Sequence, residues 1–534
     1  MANWSLEFKI GTNNLQPTTE KWRQAMFSTL VGKEITETVL DLRFVIATLL
    51  CVVLIPLGMY VSRKDYERRL ASYQWEHKTY RQRHGTPAVP VTGREEAQGF
   101  RPPSILSIFA SALAPFLPDK IITSYTGLFR TVKEPGADNP QSLLFGKADL
   151  LFNVAFIVSL AALIFTFNSI SGEKEKGTLR LMIANSILRS RILLSKIVGK
   201  YIALLIPFVV SVLIALLVLD ASPDVSIASS KLWPAFLVIM AVTLLFILDM
   251  VSLGICISTF TKHSMGSIVL LLFVWVMFVL AVPKISPMIA EIFCPVEAGN
   301  VISFNKRMIR EDIEKEFQQV KMQTIDSKRD EERDIVIKTA GEEFMSRLRD
   351  SGREPTQEDY KELSKILSKI ATDTRRVLIA KYEPQVDRLV EQCERRIASE
   401  IKKIEQDYRN KRNVQFSLAM NLCRISPISC YAYIVSGLSG TGVSEPDNFI
   451  RNAQRFQDQV KQVFYDKVSW GLDRQKFADG FDVFDPPSFP DMRYRYLSLT
   501  ETLQIHWPDI LLLGLFDLLF CSLAFMRFNK YDVR

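Results

Sequence analysis

The sequence predicts an all-α polytopic membrane protein: six transmembrane helices with a large external helical, coiled-coil insert between the fifth and the sixth. Three observations carry this. Apolar runs recur along the chain, and the longest would cross a hydrocarbon core at about 1.5 Å of rise per residue. The composition is 48% hydrophobic yet 23% charged. That mixture does not suit one uniform globule, but it suits membrane helices alternating with charged soluble segments. Finally, residues 283–507 are rich in charge and carry apolar side chains three and four positions apart, the signature of helices that pair.

The elements follow in order. Residues 1–43 read as a cytoplasmic N-terminus and an interfacial helix, with no short apolar core or small-residue cleavage site of a secretory signal. Within Trp22–Arg43, the side chains Met26, Leu30, Ile35, Val39 and Leu42 recur at helical spacing. Such a helix lies either in the inner membrane interface or on the protein's own loops. The first span is 44–61, with Pro56 as a candidate kink. Residues 62–149 form a first external segment. Its middle, His84–Ser104, is a Pro- and Gly-rich loop, and Ser104–Leu117 reads as amphipathic. The second span is 150–167, with Asn153 as its strongly polar side chain.

The connection 168–201 then carries Lys174, Lys176, Arg180, Arg189, Arg191, Lys196 and Lys200 against Glu173 and Glu175. A short cation-rich link between two spans marks the cytoplasmic side. The third span is 202–219. A polar loop leads to the fourth, 233–260, and Thr261–Ser267 is a tight inner turn. The fifth span is 268–282, leaving at Pro283-Lys284. The sixth is 510–525, entered through Trp507-Pro508, and 526–534 is a basic cytoplasmic tail. Both termini are then inside. One loop disagrees: Arg63, Lys64, Arg68 and Arg69 follow the first span, on the side assigned as external.

In the insert, Phe304–Asp350 and Gln357–Asn413 favour helix. Val386, Leu389, Cys393, Ile397, Ile401, Ile404 and Tyr408 stripe the second stretch; Ile309, Ile313, Phe317 and Val320 stripe the first. With Ser351–Gln357 as the turn, this predicts an antiparallel hairpin whose second arm is interrupted at Pro384. A compact helical domain lying flat on the membrane is the alternative. Val414–Ser436 contains Arg424, which is costly in lipid, and reads as an interfacial or packing segment. Asp447–Asp466 returns to helix, and the aromatic, Pro-rich run 482–496 leads back to the bilayer.

The chemistry is sparse. ATP hydrolysis needs a glycine-rich turn ending in Gly-Lys-Ser/Thr. Gly172 and Gly177-Thr178 lack the lysine, and Gly146-Lys147 is followed by alanine. The net charge of +8 is spread over loops, so nucleic acid is not indicated. The cysteines and histidines show no ligand spacing, and no structural metal is expected. Cys423 and Cys430 leave an external disulfide open. Asp249 and Asp517 stand in the fourth and sixth spans with no Lys or Arg in any span to pair with. They either line a translocation path or hydrogen-bond a neighbouring hydroxyl or amide and fix helix packing.

The run Ser171, Gly172, Glu173, Lys174, Glu175, Gly177, Thr178, Leu179 resembles the first cytoplasmic loop of ABC-2 type transporter permeases, with Asn168 where family members often carry Asp. Lys33-Glu34 and Leu42-Arg43-Phe44 resemble the wording of their elbow helix. RPPSILSIF, ISPISCYAYIVSGLSGTG and the YDVR ending resemble a long-external-loop subfamily. The resemblance implies a permease subunit of an exporter in the bacterial cytoplasmic membrane. It implies two copies of a separate ATPase subunit that holds ATP and Mg, and a second permease copy or paralogue. The ATPase-coupling element would be Glu173, Glu175, Gly177, Thr178, Leu179, Arg180, Met182 and Ile183. In it, Thr178 caps the helix and Leu179, Met182 and Ile183 form an apolar face for a partner groove. Two alternatives stay open: mechanical signalling to an envelope protein through the external insert, and an ATP-independent scaffold.

Overall fold

The computed structural model describes residues 16–84, 97–123, 129–132, 148–184, 188–220, 233–350, 352, 355–471 and 490–531. The loop after the third span, residues 85–96, Asn185, most of the Pro-rich run and the YDVR ending lie mostly or wholly outside them. The chain forms two compact units, Met1–Ile285 with Leu422–Arg534, and Ser286–Asn421.

The first unit is a helical bundle. α1 is Gln16–Val39 and α2 is Leu42–His84. α3 runs through Leu150–Phe152, a π-helical turn Asn153–Val158, and Ser159–Thr166. α4 (Ser171–Lys176) and α5 (Thr178–Ala184) are short. α6 is Arg189–Asp220 and α7 is Trp233–Phe260. α8 comprises Ser264–Val276, a π-helical turn Met277–Ala281, and Val282–Phe293. After the second unit come α11 (Pro427–Leu438), α12 (Glu445–Gly471) and α13 (Leu499–Asn529). Among the described residues, six helical segments are long and apolar enough to cross a membrane, built on α2, α3, α6, α7, α8 and α13. The protein is a multi-pass, nearly all-α membrane protein.

Several helices outrun their apolar runs. α2 continues past Val61 to His84, because the charges after the span pair along the helix. Arg63 meets Glu67 at 3.3 Å, and Arg69 meets Asp65 at 3.0 Å, both one turn apart. Arg63 also donates to the Val218 carbonyl of α6 at 2.7 Å. That carbonyl belongs to the last turn of α6, where a cation is stabilised. α6 likewise begins at Arg189, well before the apolar run. In α8 the helix carries on through Pro283. The wide turn at Met277–Ala281 takes up the region where the proline ring crowds the carbonyl four residues back.

The segment after α2 is not all helix or loop. Ala97–Phe100 (β1), Lys120–Thr123 (β2) and Phe129–Val132 (β3) form a small antiparallel sheet, in order β1-β2-β3, with Ala97 opposite Thr123. Ser104–Leu117, expected as an amphipathic stretch, is two 3-10 turns, Ile105–Ile108 and Ala114–Phe116. α12 lies on this sheet. Phe449, Ala453, Phe456 and Val460, spaced by three and four, pack with Ala97 and Ile121 into a satellite core. Asn448 and Asn452 donate to the Arg495 carbonyl, both at 3.1 Å, and Tyr494 donates to Glu445 at 2.6 Å.

α11 is too short to span a bilayer, and nearly all of it is buried. Its Tyr431 stacks on Phe246 and shares a 3.2 Å hydrogen bond with Thr243. Cys423 and Cys430, whose spacing left a disulfide open, are free and buried.

The second unit is an antiparallel helix pair. α9 runs Gly299–Lys321, then a π-helical turn Met322–Asp326, then Ser327–Asp350; α10 is Gln357–Cys423. Lys306–Glu405, Glu316–Arg396 and Glu332–Lys381 set the register. The stripe from Val386 to Tyr408 is turned inward, with Ile397 fully buried. Ile309, Ile313 and Phe317 face it, but Val320 is exposed. Pro384 does not interrupt α10 as expected. The helix is unbroken there, and Leu378, Tyr382 and Val386 around it pack on Ile325 of the π-helical turn. Contacts of these neighbours across the pair hold the helix together on either side of the exposed proline.

Phe456→Ala should cost about 3–5 kcal/mol locally. Hydrogen exchange should then rise in β1, β2 and α12 while the six membrane helices stay protected. A pH dependence sits in the same place. Burial pushes the Glu445 carboxyl above the usual range, against the opposing hydrogen bonds of Tyr494 and Asn448. The folded state therefore holds that proton more tightly than the unfolded chain does. The stabilisation is present below the unfolded value and is lost as pH rises through the folded one. Protection of α12, corrected for intrinsic exchange, should increase on mild acidification, and Glu445→Gln should flatten that response.

Candidate functional site

The charged run after α3 is fixed residue by residue. Ser258, near the end of α7, accepts from the backbone N–H groups of Ile170 and Ser171 at 3.0 Å each and donates to the Phe167 carbonyl at 2.9 Å. This turns the chain from α3 into α4. Gly177 ends α4 with φ +75°, a left-handed conformation that costs other residues roughly 1–2 kcal/mol. Thr178, expected to cap the next helix, donates instead to the Glu173 carbonyl at 3.4 Å.

The alternating charges of α4 reach three different helices. Glu173 accepts from Lys196 of α6 at 2.7 Å. Lys174 donates to the carbonyls of Thr259 and Thr261 at 2.5 and 3.0 Å, at the C-terminal end of α7. Glu175 accepts from the backbone and hydroxyl of Ser264 at 3.1 and 2.9 Å, at the N-terminal end of α8. Lys174 and Glu175 thus each sit at the helix end whose dipole favours them.

Lys196 is the centre of the arrangement. It is 2% exposed and bridges Glu34 of α1, at 2.8 Å, to Glu173. One turn on, Lys200 donates to Thr38 at 2.9 Å. Gly199 lies between them, and a Cβ there would stand 2.6 Å from the Glu34 Cβ. The glycine lets α1 come this close to α6. α1 thus turns a polar face, Glu34 and Thr38, toward the protein, while Val39 at its end and Leu40 just after it stay exposed. Sequence reasoning counted Lys196 and Lys200 as loop cations and missed Glu34 as their partner. The available signal was Glu34 and Thr38 at helical spacing, matched by Lys196 and Lys200.

The expected partner-facing surface is corrected. Leu179 is fully buried, and Met182 and Ile183 pack against the bundle core. These three anchor α5 to its own protein. The face left exposed is Glu175, Lys176, Gly177, Thr178, Arg180 and Leu181, with Leu181 69% exposed. Nearby, Arg189 donates to the carbonyls of Asn529 and Tyr531 at 2.5 and 3.1 Å, tying the end of α13 to the start of α6.

Asp249 and Asp517 come from α7 and α13, which pack side by side. Asp517 accepts from Ser252 of α7 at 2.6 Å, one turn on from Asp249. Asp249 accepts no hydrogen bond from any described residue. A further charged group was not identified as a cluster in the sequence. Asp509 is fully buried and accepts from Arg424 at 2.6 Å, with the His506 ring nitrogen Nδ1 at 3.0 Å. It answers the otherwise costly Arg424 and pins the start of α11 to α13. The pointer was Arg424 itself, a cation in an apolar stretch.

Lys196→Met should leave Glu173 buried without its cation and Glu34 with only the more distant Lys200 at 3.8 Å, a loss of about 3–5 kcal/mol. The thermal unfolding midpoint of the full chain in nanodiscs should fall sharply. Adding Glu34→Gln and Glu173→Gln should restore part of it, since the uncompensated charges are then gone.

A search of the curated proteins finds no match. The family model described as ABC-2 family transporter protein matches residues 28–533. That range takes in α2 to α13, with the α4–α5 element and the buried Lys196 of α6 that holds it, and the chain belongs to the ABC-2 family of transporter proteins.

Proposed function

We propose that this chain is the permease subunit of an ATP-driven exporter of the bacterial cytoplasmic membrane, acting with a second permease copy or paralogue. Two copies of a separate ATPase subunit hold ATP and Mg and perform the hydrolysis. The α4–α5 end of the bundle faces the cytoplasm together with both termini, and the α9–α10 hairpin is external. The observation that carries this reading is the wiring of α4. It is joined by Glu173 to α6 and α1, by Lys174 to α7, and by Glu175 to α8. An ATPase docked on Thr178, Arg180 and Leu181 would push on α5, and α5 is anchored by Leu179 in the core. The push would therefore reach four helices at once rather than bend a loop.

The size of the hairpin, two long paired arms in Ser286–Asn421, favours a second reading. In it the same ATP-driven motion acts on an envelope protein rather than moving a substrate.

The docking surface is the point to test. Arg180→Glu with Leu181→Asp changes two exposed side chains, so the unfolding midpoint should stay within error. Co-purification of the ATPase subunit should be lost. An ATPase retained at the wild-type ratio would remove the support for this element as the coupling site. Thiol labelling of Lys176→Cys from the cytoplasmic side alone would support the orientation, and labelling from the outer side alone would overturn it.

A further inference from the structure

Among the described residues, Asp249 is the one carboxylate with both oxygens buried and without a hydrogen-bond partner. It is 0% exposed, in the middle of α7. Ser252 follows one helical turn later on the same side, and its hydroxyl is bonded to Asp517 of α13. Asp517 also lies 3.8 Å from the Cys521 thiol, which in turn contacts Ser252 at 3.5 Å. The other titratable groups around the pair are Cys256 on α7, Tyr201 on α6 and Cys430 on α11. The Tyr201 hydroxyl is already given to the Leu244 carbonyl at 3.1 Å. Every one of these groups is an acid or a thiol. No described lysine, arginine or histidine pairs with either aspartate. Asp517 is only half-buried, so the pair reaches the surface of α13.

Two acids on adjoining helices that cross a membrane, linked through Ser252 and without a countercharge, do not persist as two bare carboxylates. Each would bear the desolvation cost of an isolated ion, and the two would repel. A helix-packing role accounts for Asp517, through Ser252. It leaves Asp249 unexplained, because a packing residue would make the hydrogen bond that Asp249 does not make.

We propose that Asp249 and Asp517 form an intramembrane site for one exchangeable positive charge, a proton or a small monovalent cation. It enters through half-buried Asp517 and is held against fully buried Asp249. The site exists whether the bundle exports a substrate or signals, so its test is independent of the coupling surface.

A hydrophobic carbodiimide reacts with a carboxyl only while that carboxyl carries a proton. The full chain in nanodiscs is treated across a pH series, in choline chloride and then in sodium, potassium or ammonium chloride. Peptide mass spectrometry reads the adduct at Asp249 and Asp517. The expected result is an adduct at this pair that is lost on raising pH, which identifies the charge as a proton. Loss at constant pH when one of the salts replaces choline identifies it as that cation. Either result supports the site. Absence of adduct from both residues at every pH and salt overturns it, as does an adduct that neither pH nor cation changes. The measurement needs no variant; Asp249→Asn and Asp517→Asn serve to assign the labelled peptides.

Discussion

A lysine sealed between two glutamates holds the α4–α5 end of this bundle together. Lys196 sits on α6, Glu34 on α1 and Glu173 on α4, and all three side chains are largely withdrawn from solvent. Such a group is stable only when each charge finds its partner in the right geometry, and it tolerates little displacement. α1, far away in sequence, is thereby held in one position relative to α4 and α6. Gly199 completes the constraint by allowing α1 to approach until Glu34 reaches the lysine. The neighbouring charges of α4 extend the same logic to α7 and α8, each ending on a helix terminus of opposite partial charge.

The same rule, that a charge near apolar surroundings must be answered locally, explains the one loop whose cations oppose the assigned orientation. Counted as free charges, Arg63 and its neighbours argue for the cytoplasmic side. Arg63 is not free. Glu67 and the last turn of α6 neutralise it, so its presence reports helix packing and not a membrane side. Arg424 is a second case. It stands in an otherwise apolar segment because Asp509 of α13, itself held by His506, meets it there.

Apolar periodicity made the membrane core and the inward stripe of α10 readable in the sequence. Six runs of low charge became six helical segments, and Ile397 and its neighbours fell on the buried face expected of them. What the sequence hid was decided by contacts between distant residues. α2 and α6 exceed their apolar runs because charged turns can be helical when they pair. The strand Ala97–Phe100 exists because β2 and α12 cover it. Pro384 leaves α10 intact because the opposite arm supports it at Ile325. At the candidate site the motif was visible, but the side facing outward was not. The phase of α5 depends on Gly177, whose left-handed turn sets the helix so that Leu179 points inward.

That inward phase bears on what the element can do. If Leu179, Met182 and Ile183 were spent on a partner, α5 would be tethered to the membrane bundle only by its flanking chain, and a push on it would be absorbed. With those side chains in the core, the surface left exposed around Arg180 and Leu181 is smaller and more polar. Such a surface favours a reversible contact, and specificity there would come from charge more than from area. The anchoring side and the contacting side of one short helix thus divide the work. Apolar burial ties α5 to the bundle, and on the proposed reading the exposed edge is the part that the ATPase subunit would engage and release.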